Sequence, residues 1–397
     1  EMSRGLGDVY KRQLLQAPPK AKLSRRQLRI TILPAQPLLR RFLPKQAEIS
    51  IRSLCRQIPN LRTPNRPTSL RRPRTVPMSR TINPYPYSDD NKRYRTYSCY
   101  LRRRFGKKIY RVALDIGAGC PNRDGSRGIG GCIFCSASNS CSGRFTGISP
   151  ESLKAQFEEG RRLIGSKCPD GPYIAYFQAG TNTYGDSAAL KNAFETALGF
   201  DNVIGLAIAT RADCIDKEKA DMLAALSEKT YLTVELGLQS VHDKTAELCN
   251  RCHTYKEFLK AYRLLRERGI NVGVHIINGL PHETHGMMLE TAKRLAELDL
   301  HCMKIHLLYV EEGTPLASLY RSGGFEMITQ EQYTQTVCDQ LEVLPPDLIL
   351  ARMTGDADRS RLIAPQWSLK KLCVMNEIDK EMARRNTMQG AKYAAPK

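Results

Sequence analysis

Tyr110-Arg-Val-Ala-Leu-Asp-Ile116, then Cys120-Pro-Asn-Arg-Asp-Gly-Ser-Arg-Gly-Ile-Gly-Gly-Cys132-Ile-Phe-Cys135, is the stretch on which the reading of this chain turns. An apolar run of strand length feeds a glycine-rich loop that carries three cysteines. Cys132 and Cys135, at x2 spacing, can chelate one metal centre from a tight turn. Cys120 reaches it across Gly125, Gly128, Gly130 and Gly131, which let the backbone fold closely around a bulky inorganic group. Amides of such a loop can also donate hydrogen bonds to sulfide. The cysteines alone leave two metal readings equal. One is a four-iron cubane on three thiolates; the other is a structural zinc with Cys141 as fourth ligand. Plain buried thiols are the third reading.

Working outward, the strand pattern recurs. Tyr173–Gln178, Val203–Ala209, Tyr231–Gly237, Asn271–Ile277 and Met303–Leu308 join Tyr110–Ile116 as apolar, β-branched runs. Between them Pro150–Ile164, Ser187–Leu198, Lys217–Leu226, Thr254–Arg268 and His285–Leu298 show helical spacing. In Thr254–Arg268, Phe258, Ala261, Leu264 and Leu265 make one apolar face. This alternation predicts an α/β fold with a parallel sheet and helical crossovers. Six units fall short of a full eight-stranded barrel, so the pattern allows an open partial barrel or a doubly wound sheet. A further helix is expected over Gln330–Leu344. Either fold places the end of the first strand at the C-terminal mouth of the sheet, where active sites lie. That placement favours the cluster. Three thiolates leave one iron open to chelate the amino and carboxylate groups of S-adenosylmethionine (SAM). Electron transfer then breaks a carbon–sulfur bond to give a 5′-deoxyadenosyl radical.

The later strands also end in polar groups: Gln178, Thr181, Asn182 and Thr183; Arg211 and Asp213; Glu235, Gln239 and Ser240; Asn278, Gly279 and Glu283; Lys304 and His306. Each has a plain structural account as a turn, a cap or a salt bridge. Their convergence on one end of one sheet predicts a ligand pocket. Cys249 and Cys252 also have x2 spacing, but no partner pair is evident, and they read as core thiols.

Composition bounds the rest. The hydrophobic share of 41% and charged share of 25% are those of a soluble globular protein. No run of about 18 apolar residues suggests a membrane helix. Thirteen cysteines, an odd number in a long chain, argue against a disulfide framework and for a reducing, cytoplasmic setting. The formal net charge of +21 is uneven: residues 1–77 carry 18 Lys and Arg against 3 Asp and Glu. That segment is broken by prolines and is expected to be disordered. Its start reads as translated adapter rather than native sequence, with an Arg-rich targeting peptide as the alternative and Met78 as the expected true start. The expected organisation is a basic segment over 1–77, a barrel with its lead-in over 78–345 and a helical C-terminal extension over 346–397.

From Asn91 to Tyr393 the chain resembles the YhcC/YtqA-type radical SAM proteins, related to the radical SAM domain of the Elongator catalytic subunit. The resemblance is carried by Cys120-Pro-Asn-Arg-Asp-Gly, Gly131-Cys-Ile-Phe-Cys135 and Tyr176-Phe-Gln-Ala-Gly-Thr-Asn-Thr-Tyr184. It continues through Val234-Glu-Leu-Gly-Leu-Gln-Ser240, Asn278-Gly-Leu-Pro281, Lys304-Ile-His-Leu-Leu308, Gly313-Thr-Pro-Leu316 and Ala364-Pro-Gln-Trp367. It implies a partial (β/α)6 TIM-type barrel with a [4Fe-4S] cluster on Cys120, Cys132 and Cys135. It also implies SAM contacts: Gln178, Thr181, Asn182 and Thr183 near the amino group, Glu235, Gln239 and Ser240 near ribose and carboxylate, Asn278 and Gly279 beside adenine. Two departures stand out. The x11 spacing of Cys120 and Cys132 is not the superfamily's usual x3, and Cys252 occupies a position where relatives tend to have glycine. Some members are implicated in tRNA wobble-uridine side-chain modification, so the resemblance implies a tRNA substrate and a flavodoxin or ferredoxin-type reductant. The basic residues Arg95, Arg102, Arg103, Arg104, Lys107 and Lys108 are then candidates to meet phosphates, or else a solvated face. A small-molecule or peptide substrate, and a zinc-stabilised RNA-binding module, are the alternatives. The residue that relays or quenches the radical is not identified, and Cys141, Cys302 and Tyr309 are candidates.

Overall fold

The computed structural model describes Tyr85 and residues 92–136, 146–165 and 171–395. The expectations for residues 1–77, Met78 and Cys141 lie outside the described residues. In chain order the elements are α1 (Tyr97–Phe105), β1 (Tyr110–Leu114), α2 (Pro150–Ile164), β2 (Tyr173–Phe177), α3 (Ser187–Leu198), β3 (Val203–Thr210) and α4 (Lys217–Lys229). There follow β4 (Tyr231–Gln239), α5 (Asp243–Leu248), α6 (Tyr255–Arg266), β5 (Asn271–Asn278), α7 (His285–Ala296) and β6 (Cys302–Leu307). The last are β7 (Val310–Glu311), α8 (Pro315–Arg321), α9 (Gln330–Val343), β8 (Ile349–Arg352), β9 (Leu362–Ala364) and α10 (Lys371–Arg384).

The six expected strands pair in parallel, in the order β1-β2-β3-β4-β5-β6, and β8 extends the sheet to seven strands. They form a curled half-barrel. Strand order never reverses, so the doubly wound alternative, which needs a switch point, does not apply. β8 comes from beyond the expected boundary at residue 345, and the C-terminal segment is therefore part of the barrel sheet. Its four residues, Ile-Leu-Ala-Arg, are too few to show a period, which hid it in the sequence.

Local chemistry sets the helices. Ser149 caps α2 and is followed by proline at its first position. Thr254 with Glu257 and Thr329 with Gln332 form reciprocal capping boxes on α6 and α9. β2 is buried along its whole length, as expected of a parallel strand covered on both faces. The outer face of the sheet, with Val112, Phe177, Ile208, Val234, Val274 and Ile305, packs against the helices in the main core. The inner face is different. At its N-terminal end, α1 plugs the lumen with Tyr97 and Leu101 against Ile174, Tyr231, Cys302 and Ile349. Tyr97 and Tyr231 share a hydroxyl bond of 3.1 Å, and Tyr231 bonds His301 Nε2 at 2.8 Å. The floor is closed, so the lumen opens toward the C-terminal mouth. Among the described residues, no helix is long and apolar enough to cross a membrane.

Candidate active site

The chain leaving β1 is held at once. Gln156 of α2 accepts from the Asp115 amide at 2.6 Å and donates to its carbonyl at 3.0 Å. The cysteine loop then folds on itself: the Arg123 amide donates to Cys120 O at 2.8 Å, the Arg127 amide to Pro121 O at 2.8 Å, and the Gly131 amide to Asn122 O at 2.7 Å. Gly128 is packed so closely that a Cβ there would lie 2.6 Å from Cys252 Sγ and against the Asn122 amide oxygen. Cys135 donates its amide to Cys132 O at 2.9 Å, which closes the tight turn read from the x2 spacing.

Cys132 is buried, whereas Cys120 and Cys135 are half-buried. Its sulfur accepts from Arg251 Nη1 at 3.2 Å and from Asn122 Nδ2 at 3.5 Å. A hydrogen bond from the Cys135 thiol, with the Arg251 and Arg211 guanidiniums, holds Cys132 well below the ordinary thiol range. The same bond and burial hold Cys135 high. At Cys132 this is the donor chemistry an iron–sulfur cluster requires: a thiolate favoured by nearby cations, with hydrogen bonds onto its sulfur. Among the described residues, no three His, Cys, Asp or Glu side chains are gathered to hold a single ion.

The end of β2 meets this loop through the backbone. The Thr181 amide donates to Gly119 O at 3.2 Å, directly before Cys120, and the Gln178 amide to Leu114 O at 3.1 Å. Ala179 and Gly180 both turn through positive φ, of 69° and 63°. Asn182 Nδ2 reaches Ala209 O at 2.8 Å, and Thr183 bonds Thr210 Oγ1 at 2.6 Å and Cys214 O at 2.9 Å. The hydroxyl of Thr183 and the amide nitrogen of Asn182 therefore tie β2 to β3, while Asn182 Oδ1 is buried without a partner. At the end of β4, Gln239 has φ of 77° and a buried, unpartnered Oε1. Ser240 donates to Glu283. Asn278 exchanges two bonds with Gln340 of α9, at 2.8 and 2.9 Å, and the neighbouring Gly279 amide lies 3.2 Å from Met288 Sδ. Of the nine positions expected to touch SAM, Asn182 and Gln239 hold buried polar atoms with no partner.

Glu235 lies deeper, four residues inside the end of β4. It is 1% exposed and sits among Lys304 Nζ at 2.5 Å, His275 Nε2 at 2.9 Å and Arg111 Nη1 at 3.4 Å. Lys304 also donates to the Tyr176 hydroxyl at 2.6 Å. Burial opposes charge on Glu235, but Lys304, Arg111 and His275 together hold its carboxyl well below the usual range. Burial, aided by Arg111, brings Lys304 down to about 8 against the pull of Glu235. Burial and Lys304 bring His275 to about 4. The sequence pattern points to Lys304 within the sixth strand but not to Arg111, His275, Asn122 or Arg251. Arg111 and His275 alternate with core residues in their strands, a period-two signal that was available. Of the relay candidates, Cys302 is buried at the lumen floor, where burial pushes its thiol up to about 12. Cys249 is buried and offers its carbonyl to the Ile133 amide at 3.1 Å, and Cys252 has φ of 53°, which accounts for the glycine expected there.

The profile described as "Radical SAM superfamily" matches residues 114–295, and that of the "Radical_SAM C-terminal domain" matches 300–384. The YtqA protein of Bacillus subtilis is 48% identical over 308 residues, covering 78% of this chain and 95% of that one. The chain belongs to the YtqA-type radical SAM family. It is a radical SAM enzyme, and the cofactors of its superfamily are a [4Fe-4S] cluster and SAM. Membership decides against the zinc-stabilised RNA-binding module. A tRNA uridine(34) acetyltransferase of Methanocaldococcus infernus is 28% identical over 157 residues, 38% of this chain and 29% of that one. Among solved structures, the archaeal Methanocaldococcus infernus Elp3 lacking residues 1–46 of its N-terminus superposes with a TM-score of 0.52 at 17% identity. The match covers 71% of this chain and 64% of that one, and it supports the half-barrel fold.

Proposed function

We propose that this radical SAM enzyme modifies the side chain of the tRNA wobble uridine, with Cys120, Cys132 and Cys135 holding the cluster and a flavodoxin or ferredoxin-type protein supplying the electron. The observation that carries the catalytic part is the cysteine loop itself, braced to β2 and to the Cys249–His253 turn at the open mouth of a lumen whose other end is closed. Cys120, Cys132 and Cys135 would hold the cluster, which would supply the one-electron reduction on which radical chemistry with SAM depends. The chain's own part is to bind, orient and shelter. Asn182 Oδ1 and Gln239 Oε1 are acceptors left free for SAM, and the plug of Tyr97 and Leu101 keeps water from entering through the floor. Arg111, Lys304 and Tyr176 line the lumen in which a side chain of the substrate is received.

The tRNA part is supported by the likeness to a uridine(34)-modifying protein over the radical SAM region. One observation favours the second reading, a small molecule or peptide. Arg102, Arg103, Arg104, Lys107 and Lys108 are exposed on α1 and the turn into β1, at the closed end of the barrel and away from the mouth. The test is anaerobic reconstitution followed by reaction with tRNA, SAM and reductant. About four irons per chain are expected, together with 5′-deoxyadenosine and a mass change confined to the wobble nucleoside. Both the irons and the 5′-deoxyadenosine should be lost in Cys132→Ala. Deoxyadenosine without any change in tRNA would overturn the tRNA reading and leave the small-molecule one. A colourless protein holding one zinc would overturn the cysteine assignment.

A further inference from the structure

Arg251 is a buried cation, 5% exposed, at the centre of the turn that follows α5. Among the described residues no carboxylate pairs with it. Its Nη1 donates to Cys132 Sγ at 3.2 Å; its Nη2 donates to Gly237 O at 2.6 Å and lies 2.8 Å from His253 Nε2. His253 is held neutral, since burial together with Arg251 brings it to about 3. A buried charge without a paired carboxylate is costly, and this guanidinium sits directly against the Cys132 sulfur.

The guanidinium is also fixed in place. Arg211, itself paired with Asp213 at 2.7 and 2.9 Å, donates to Arg251 O at 2.7 Å. Asn250 Nδ2 donates to Gly131 O at 2.8 Å, and Asn122 Nδ2 donates to Asn250 O at 2.5 Å. The turn therefore clamps the cysteine loop and aims one positive charge at one of the three sulfurs.

We propose that Arg251 sets the reduction potential of the cluster by holding its charge against the Cys132 sulfur. This rests on the reading in which Cys120, Cys132 and Cys135 are the ligands. Reduction adds one negative charge to the cluster, and a fixed cation stabilises the reduced form more than the oxidised one. Arg251 thus makes the cluster easier to reduce, and it acts as a positioning residue that touches a ligand rather than substrate.

The test is an anaerobic redox titration of the reconstituted full chain, followed by electron paramagnetic resonance, for wild type, Arg251→Gln and Arg251→Lys. Iron and sulfide are counted in each. Arg251→Gln, which keeps a donor and loses the charge, should load about four irons. Its reduction equilibrium should shift about tenfold toward the oxidised form, about 59 mV more negative for one electron. Arg251→Lys should lie between it and wild type. A fully loaded Arg251→Gln protein with an unchanged midpoint overturns the proposal. So does failure of Arg251→Gln to load, alone or with Arg251→Lys, because the residue would then serve ligation or loop folding and not the potential. Failure of the wild type to load would instead overturn the ligand assignment.

Discussion

Glu235→Gln tests the charge balance of the lumen. The side chain is 1% exposed and is the anion facing Lys304, His275 and Arg111. Glutamine keeps the shape and removes the charge, leaving the buried Lys304 ammonium and the Arg111 guanidinium without it. Breaking a buried pair from one side costs about 3–5 kcal/mol. Lys304 limits the loss, because it stands at about 8 even with Glu235 beside it. Without the carboxylate it falls further and sheds its proton near neutral pH, so the lower end of the range, about 3 kcal/mol, is expected. At about 2.1 cal/mol/K per residue over roughly 300 folded residues, that is a fall in Tm of about 5 °C. The assay is urea and thermal unfolding of the full chain near neutral pH. The sign with pH is fixed. The folded carboxyl is held below its ordinary value, so its contribution is present above about 4.5 and is lost as pH falls through the lowered folded value. The gap between wild type and Glu235→Gln should therefore narrow on acidification. Adding Lys304→Met should recover part of the loss, because the buried amine that must give up its proton on folding is then gone. A loss under about 1 kcal/mol, or a double variant no more stable than Glu235→Gln alone, would refute the coupled arrangement.

Three further outcomes follow from other sites. Gly128→Ala would press a methyl group against Cys252 Sγ and Asn122. It should cost about 1–3 kcal/mol and lower the iron content after reconstitution; an unchanged urea midpoint with full loading would count against the packing described. Cys252→Gly relieves a left-handed residue at φ of 53°. Set against the greater chain entropy of glycine, it should stabilise by up to about 1 kcal/mol, and a clear fall in midpoint would sink the argument. Burial, reinforced by neighbouring cations, lowers both His275 and His301 to about 4. Between their ordinary 6.5 and that value the unfolded chain binds more protons, so stability should fall as pH drops, by up to about 1.4 kcal/mol per pH unit for each histidine. Urea midpoints between about pH 7 and pH 5 check this, and His301→Gln should flatten the slope.

The six barrel strands and most of the helices were legible because each is long enough to show a period. α2 and α3 keep the predicted limits, and α6 and α9 differ by one or two residues at their ends. What was not legible is short or long-range. β8 has four residues, β7 and β9 fewer, and each is a strand only because a distant neighbour bonds it. α1 has nine residues and an acid-free first turn, and its role as floor of the lumen depends on Tyr231 and Cys302, far along the chain.

The site divides in the same way. Cys120, Cys132 and Cys135, the ligands proposed above, stand out in the sequence because one loop carries all three at a local spacing. Arg251 lies more than a hundred residues away, and nothing in Cys249-Asn-Arg-Cys-His253 says that its guanidinium faces Cys132 rather than solvent. The same is true of Asn278, which reads as a strand-end polar group and proves to be bonded to Gln340. Side chains that hold a cofactor directly must come in a spacing the cofactor dictates, whereas those that tune or brace the ligands need only arrive at the right place in space. In a parallel barrel that place is the inner face, where one polar residue in an otherwise apolar strand is enough. Arg111, Glu235, His275 and Lys304 each set a titratable side chain within a strand-length run, and only their meeting around Glu235 makes them a group. It follows that, in a chain of this family, single charges within strand-length apolar runs are the positions to mutate first when the lumen is sought.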